Sequence, residues 1–217
     1  MGLIVIVGAG SGISRAAAER FGKEGFKVAL IARSEDKLKN LAAGLKEKNI
    51  DAVYKTGDAG NYDSLLNAIS EIKNSEGIPD LFLYNASALT IKDILSEDWD
   101  SLRNDLDVSA GGYFNMMKIA MPDYLKENKG KLFLTGGGLS LEGDPNCSSL
   151  SAGKAAVRNL FQAYVKKAKG TQLHIAHLMV CGYVREEDPK YNPDSIAEEY
   201  WKLFIQKPGE FVNEVIY

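Results

Sequence analysis

The chain has 217 residues, 45% hydrophobic and 25% charged, with a formal net charge of −3. That length suits one generous globular domain, and the charge balance offers no basic footprint for nucleic acid. Its two cysteines, Cys147 and Cys181, lie far apart without a CxxC spacing, which argues against a disulfide framework or a zinc site and predicts two small buried hydrophobes.

The opening MGLIVIVGAG has no basic segment, and its apolar run breaks at glycine before it could span a bilayer. A cytoplasmic protein with neither signal peptide nor membrane span is expected. From there short β-branched runs alternate with helical patterns. LIVIVG (3–8) leads into SRAAAERFGKEG, KVALIAR into SEDKLKNLAAGLKEKN, DAVYKTGD into YDSLLNAISEIKNSEG, and DLFLYNAS closes the first half. Continuous apolar strands separated by crossover helices predict a doubly wound parallel sheet, a Rossmann-type α/β fold with helices on both faces.

Asp98 to Lys129 reads as a long apolar-rich pair of helical segments interrupted by Gly111 and Gly112. Its surface serves either a homo-oligomer contact or ordinary packing within the chain, and both readings stand open. KLFLTGG and QLHIAHLMV continue the sheet, and FVNEVIY supplies a last strand. His174 and His177 share a strand three residues apart, so their side chains should face opposite ways, unsuited to a shared metal. DSIAEEYWKLF places Ile196, Tyr200, Leu203 and Phe204 at helical spacing behind a cap at Asp194 or Ser195. That stripe is either core or, with the residues before it, a cleft-covering segment near 185–207 of a single domain spanning 1–217.

The first strand runs into VGAGSGIS, where Gly8, Gly10, Ser11, Gly12 and Ile13 lead directly into a helix. Glycines at such a turn let the backbone approach a pyrophosphate, whose charge the free N–H groups of the helix start favour. At the end of the second strand an NAD-preferring site would place an acid against the ribose 2′-hydroxyl. This chain has Ala32, Arg33 and Ser34 instead, a pairing suited to a 2′-phosphate, so NADP (NADPH) is the expected cofactor.

The spacing Gly8, Gly12, Ser14 resembles the Gly-xxx-Gly-x-Gly loop of the short-chain dehydrogenase/reductase family, with Ser14 for the last glycine. The resemblance runs to about Gly182. It implies that Asp58 and Ala59 after the third strand sit beside adenine. YNAS, with Asn85 and Ala86 retained, stands for the family's Asn-Asn-Ala-Gly. In CGYVREED, Gly182 and Val184 are kept, Cys181 replaces a proline and Glu186 falls near the usual threonine.

The family's working set is Asn, Ser, Tyr and Lys, in which tyrosine moves the proton, serine holds the substrate oxygen, and lysine holds the ribose while lowering the tyrosine pKa. SAGKAAV supplies Lys154. Leu150 stands in place of the tyrosine, Gly137 of the serine and Ser109 of the asparagine. Lys154 can still donate to ribose hydroxyls without any proton transfer. A displaced acid would come from Tyr183, Thr135 or an ordered water, with core or lid packing the plainer role for Tyr183. Two functions follow: an NADP-dependent oxidoreductase acting on a small, unidentified carbonyl or alcohol, or a catalytically inactive NADP-binding sensor or regulator.

Overall fold

Seven of the apolar runs form strands in the computed structural model, which describes residues 2–217. They are β1 (Leu3–Val7), β2 (Lys27–Ala32), β3 (Ala52–Thr56), β4 (Leu81–Tyr84), β5 (Lys131–Gly137), β6 (His174–Val180) and β7 (Glu214–Ile216). All pair in parallel in the order β3-β2-β1-β4-β5-β6-β7. The order reverses between β1 and β4, where an open α/β sheet leaves a crevice at its carboxyl ends.

Helices cover both faces, as strands apolar on both sides require. α1 (Ile13–Lys23), α2 (Glu35–Glu47) and α7 (Pro193–Phe204) lie on one face; α3 (Tyr62–Glu76), α5 (Gly112–Glu127) and α6 (Ser148–Lys167) lie on the other. The two-residue period of a strand sorts the core. Ile4 and Ile6 join the α1 layer, while Leu3, Val5 and Val7 join the α3 layer.

The glycine pair does not interrupt the helix after β4. α4 (Trp99–Leu106) passes through a π-helical turn, Asp107–Gly111, straight into α5, and Leu106, Gly111 and Gly112 all keep right-handed helical dihedrals. The Tyr84 hydroxyl donates to the carbonyl of Val108 in that turn. A side chain at Gly112 would collide with this hydroxyl, so the glycine makes room for a fastening rather than a break. Most of the apolar surface of this helix, including Tyr113, Met116, Met117, Ala120 and Tyr124, packs inside the chain, leaving Trp99 and Phe114 exposed.

α7 begins one residue earlier than its expected caps. Asn192 is the cap, accepting from the Ser195 amide at 2.8 Å, and Pro193 takes the first turn, where its missing N–H costs nothing. Ile196, Tyr200 and Leu203 are buried against the sheet, while Trp201 and Phe204 meet Phe21 of α1 edge-on at 5.3 and 5.2 Å. Residues 181–192 before α7 are largely exposed, and one face of the helix joins the core. The cysteines also depart from expectation. Both are free, Cys181 exposed and Cys147 half-buried at the start of α6. No helix among the described residues is long and apolar enough to cross a membrane.

Candidate active site

The carboxyl end of β1 opens into the glycine loop. Gly8 has φ +88°, and a Cβ there would run into the backbone of Ala86 just after β4, so only glycine allows the two strand ends to approach this closely. Its amide and that of Ala9 both donate to the carbonyl of Ile31, at 2.9 and 3.0 Å, bending the loop over the end of β2. Gly10 and Gly12 differ. A Cβ at either would meet nothing within 4 Å, so no protein contact demands their lack of a side chain. α1 starts at Ile13 without a side-chain cap, its first hydrogen bond running from Ala16 to Gly12 at 3.1 Å. The amides of that first turn are therefore available to an anion.

Ser14, the departure from the glycine pattern, is buried and bonded in both directions. It donates to the Gly8 carbonyl at 2.9 Å and accepts from the Asn85 amide at 2.7 Å. Next along α1, Arg15 donates to the exposed Ser11 carbonyl at 2.9 Å and pairs with Glu19 at 3.0 Å, Glu186 at 3.3 Å and Asp194 at 3.9 Å. The loop after β6 is thereby tied to the start of α1.

At the end of β2, Arg33 is exposed and enters no ion pair among the described residues, whereas neighbouring Glu35 is taken by Lys39 at 3.0 Å. Ser34 caps α2 by accepting from the Lys37 amide, which leaves its hydroxyl hydrogen to donate elsewhere. Asp58 uses Oδ1 to hold the Gly60 amide at 3.0 Å, and the carbonyl of buried Ala59 accepts from Asn115 at 3.1 Å.

On the far side of the crevice α6 brings Lys154 to the end of β5. Its Nζ donates to the Thr135 carbonyl at 3.2 Å, and burial pushes the amine down to about 8, with no carboxylate paired to it. Gly137 is extended, and a Cβ on it would meet only the Val180 carbonyl at 3.6 Å and Cε of Lys154 at 3.9 Å. Leu150, one turn before Lys154, is half-buried. Ser109 lies in the π-helical turn, buried with an unpartnered hydroxyl, so close to α6 that a Cβ at Gly153 would stand 2.9 Å from its own.

The remaining donors scatter. The Thr135 hydroxyl accepts from Tyr200 at 2.7 Å on the α7 side of the sheet, opposite α6. Tyr183 is 82% exposed, 5.7 Å from the Arg185 guanidinium, and packs in no core. Gly182 lies against the ring of Tyr191, and Val184 is exposed. Leu89, Ile91 and Leu95 after β4, and Leu141 after β5, add to an exposed apolar rim on the loops at this end of the sheet.

One cluster was not legible in the sequence. His177 Nδ1 meets Glu214 Oε1 at 3.0 Å, and Arg158 clamps the same carboxylate through Nε and Nη2, both at 2.8 Å. Arg158 holds the Glu214 carboxyl far down, at about 2, and burial lowers His177. The carboxylate is 37 residues from the histidine, and only the β6–β7 register places them side by side. His174 turns to the other face, stacked on Phe211 at 4.2 Å.

A family profile described as short chain dehydrogenase matches residues 2–189. An uncharacterized oxidoreductase of Staphylococcus aureus is 27% identical over 224 residues, covering 98% of this chain and 95% of the relative. Among solved structures, a short-chain dehydrogenase from Rhodopseudomonas palustris superposes with a TM-score of 0.88 at 23% identity, over 99% of this chain and 96% of its own. A metagenomic short-chain oxidoreductase in complex with NADP gives 0.90 at 18% identity, over 99% and 95%. An alcohol dehydrogenase from the archaeon Thermococcus sibiricus, complexed with 5-hydroxy-NADP, gives 0.88 at 22% identity, over 100% and 96%.

Proposed function

The chain belongs to the short chain dehydrogenase family, and from that premise we propose that it binds NADP(H) and acts as an oxidoreductase on a small carbonyl or alcohol. The observation that carries this reading is the pair Gly10 and Gly12, bare toward open space at the uncapped start of α1. Glycines that no protein neighbour requires fit the close approach of a pyrophosphate. Gly8, Ser11 and Ile13 complete that cradle. Arg33 and Ser34 receive the 2′-phosphate, Asp58 and Ala59 flank the adenine, Asn85 and Ala86 floor the crevice, and Gly182 and Val184 close it near the nicotinamide. The NADP complexes of two structural neighbours support the choice of nucleotide.

When bound, the nicotinamide supplies or accepts a hydride at the substrate carbon. Lys154 donates to the ribose hydroxyls, and Leu150 and Gly137 offer neither a proton nor a hydroxyl. That deficit favours a second reading, an inactive NADP-binding sensor or regulator. Calorimetric titration with NADPH, followed by an NADPH-oxidation screen over small aldehydes and ketones, separates the two. Absence of NADPH binding overturns both.

A further inference from the structure

Resting on the oxidoreductase reading, we propose that Lys154 is itself the proton donor of this site, doing from its Nζ what the family assigns to the tyrosine that Leu150 replaces. The geometry of the donors leads there. An ammonium carries three hydrogens: Lys154 gives one to the Thr135 carbonyl, the bound ribose takes a second, and the third is left for the substrate oxygen. Gly137, where the family's serine would stand, lies beside the lysine stem, and a Cβ there would be 3.9 Å from Cε. No phenol intervenes, since the residue one turn earlier is leucine. The Thr135 hydroxyl accepts from Tyr200 on the face opposite α6, Ser109 is pressed against Gly153, and Tyr183 stands in solvent.

Burial without a neutralising partner leaves the Lys154 proton loosely held. From β6 it faces His177, and from its own helix Arg158 follows one turn later. The nearby carboxylate of Glu214 on β7 is consumed by both of those residues. On α4, Asp105 accepts from Ser149 at 2.6 Å, and Asp107 lies in the π-helical turn beside Gly60. No acid pairs with the ammonium, and burial brings its pKa to about 8. A donor poised near the working pH is the efficient kind.

In the reduction the hydride adds to the carbonyl carbon and the C=O π pair moves onto oxygen. That oxygen takes a proton from Lys154 Nζ, which passes from ammonium to amine and is recharged from water. Oxidation of the alcohol runs the same transfers backwards, with the neutral amine as base.

Lys154→Arg separates holding from donating, because a guanidinium keeps the charge and the hydrogen bonds but does not release a proton near neutrality. The experiment pairs NADPH calorimetry with steady-state reduction of a panel of small aldehydes and ketones that includes 4-nitrobenzaldehyde. It adds NMR titration of the Lys154 amine in lysine-labelled protein and rescue of Lys154→Ala by ethylamine. The expected result is an amine titrating near 8 and wild-type turnover that falls as pH rises through that value. At saturating NADPH, turnover of Lys154→Arg should drop about 10²-fold or more, and ethylamine should restore part of the Lys154→Ala rate. Turnover of Lys154→Arg within about threefold of wild type, or a wild-type profile flat from about pH 7 to 9.5, overturns the proposal while the oxidoreductase reading stands. A protein that binds NADPH and reduces nothing in the panel overturns the proposal and leaves the sensor reading. One that binds no NADPH overturns the parent reading as well.

Discussion

The side-chain amide of Asn85, just past β4, donates to the hydroxyl of Ser14 at 2.7 Å and so joins the carboxyl end of the sheet to the first turn of α1. Ser14 hands its own hydrogen to the Gly8 carbonyl. The residue that departs from the family's glycine pattern thus ties the loop it belongs to. Ser14→Gly, which restores the pattern, is expected to lower stability by about 1–3 kcal/mol, since it removes both bonds, leaves the Asn85 amide without this partner and adds helix-forming entropy cost. Urea denaturation of the two proteins measures it, and an unchanged midpoint would show that the tie contributes nothing.

Arg33 stands exposed at the end of β2 with no acid paired to it among the described residues. NADPH should bind more tightly than NADH, and Arg33→Ala should cost NADPH about 1.5–3 kcal/mol of affinity while leaving NADH nearly unchanged. Calorimetry with the two nucleotides checks both halves; equal dissociation constants in the wild type would remove the assignment.

Gly137 has room for a hydroxymethyl group, its nearest prospective neighbours lying at 3.6 and 3.9 Å. Leu150→Tyr combined with Gly137→Ser should therefore raise carbonyl turnover, the phenol adding a second proton donor beside Lys154 and the hydroxyl holding the substrate oxygen. Rates measured for the wild type, each single variant and the double variant test this, and a double variant no faster than the wild type counts against it.

Lys154 carries a stability cost in the absence of nucleotide. Its pKa in the fold, about 8, lies below its ordinary value of 10.5. The unfolded chain therefore binds more protons between those values, and stability climbs as pH rises through that window. Below it the penalty is fully present, about 1–3 kcal/mol. Lys154→Met should melt higher than wild type at neutral pH, and the gap should close toward about pH 10.5. Thermal unfolding across that range reads it directly.

Glu214 works in the opposite sense. Arg158 first, then His177, holds its carboxyl at about 2, well below its ordinary 4.5. The stability it contributes is present above 4.5 and is lost as pH falls toward 2. Glu214→Gln should cost about 1–2 kcal/mol at neutral pH, discounted for partial exposure, and should flatten the acid limb of the stability curve. Denaturant midpoints at about pH 7, 4 and 2.5 are the measurement.

The sheet and its layers were legible because each strand is a short apolar run and each crossover a separate helical pattern; local signals determine both. Gly8, Gly10 and Gly12 were equally plain, lying within five residues directly after a strand. What escaped reading depends on neighbours distant in the chain. Gly111 and Gly112 look like a break until Tyr84 is seen fastening the turn from β4. Asn192 followed by Pro193 is as suitable a start signal for α7 as Asp194 or Ser195. Cys181 lies exposed at the strand end, where a run of apolar neighbours gives no warning of exposure. Thr135 belongs to a strand whose alternation sends its hydroxyl to Tyr200 and away from Lys154.

The glycines at the end of β5 are not equivalent. A Cβ on Gly136 would occupy the imidazole of His177, a ring held by Glu214, whereas one on Gly137 would find ordinary van der Waals spacing. In a library randomised at both positions, 136 should return glycine almost alone while 137 tolerates several small side chains. The hydroxyl missing from this site is thus a reversible loss. One amino-acid exchange at 137 reinstates it without rebuilding the strand, whereas the phenol takes a second, at Leu150.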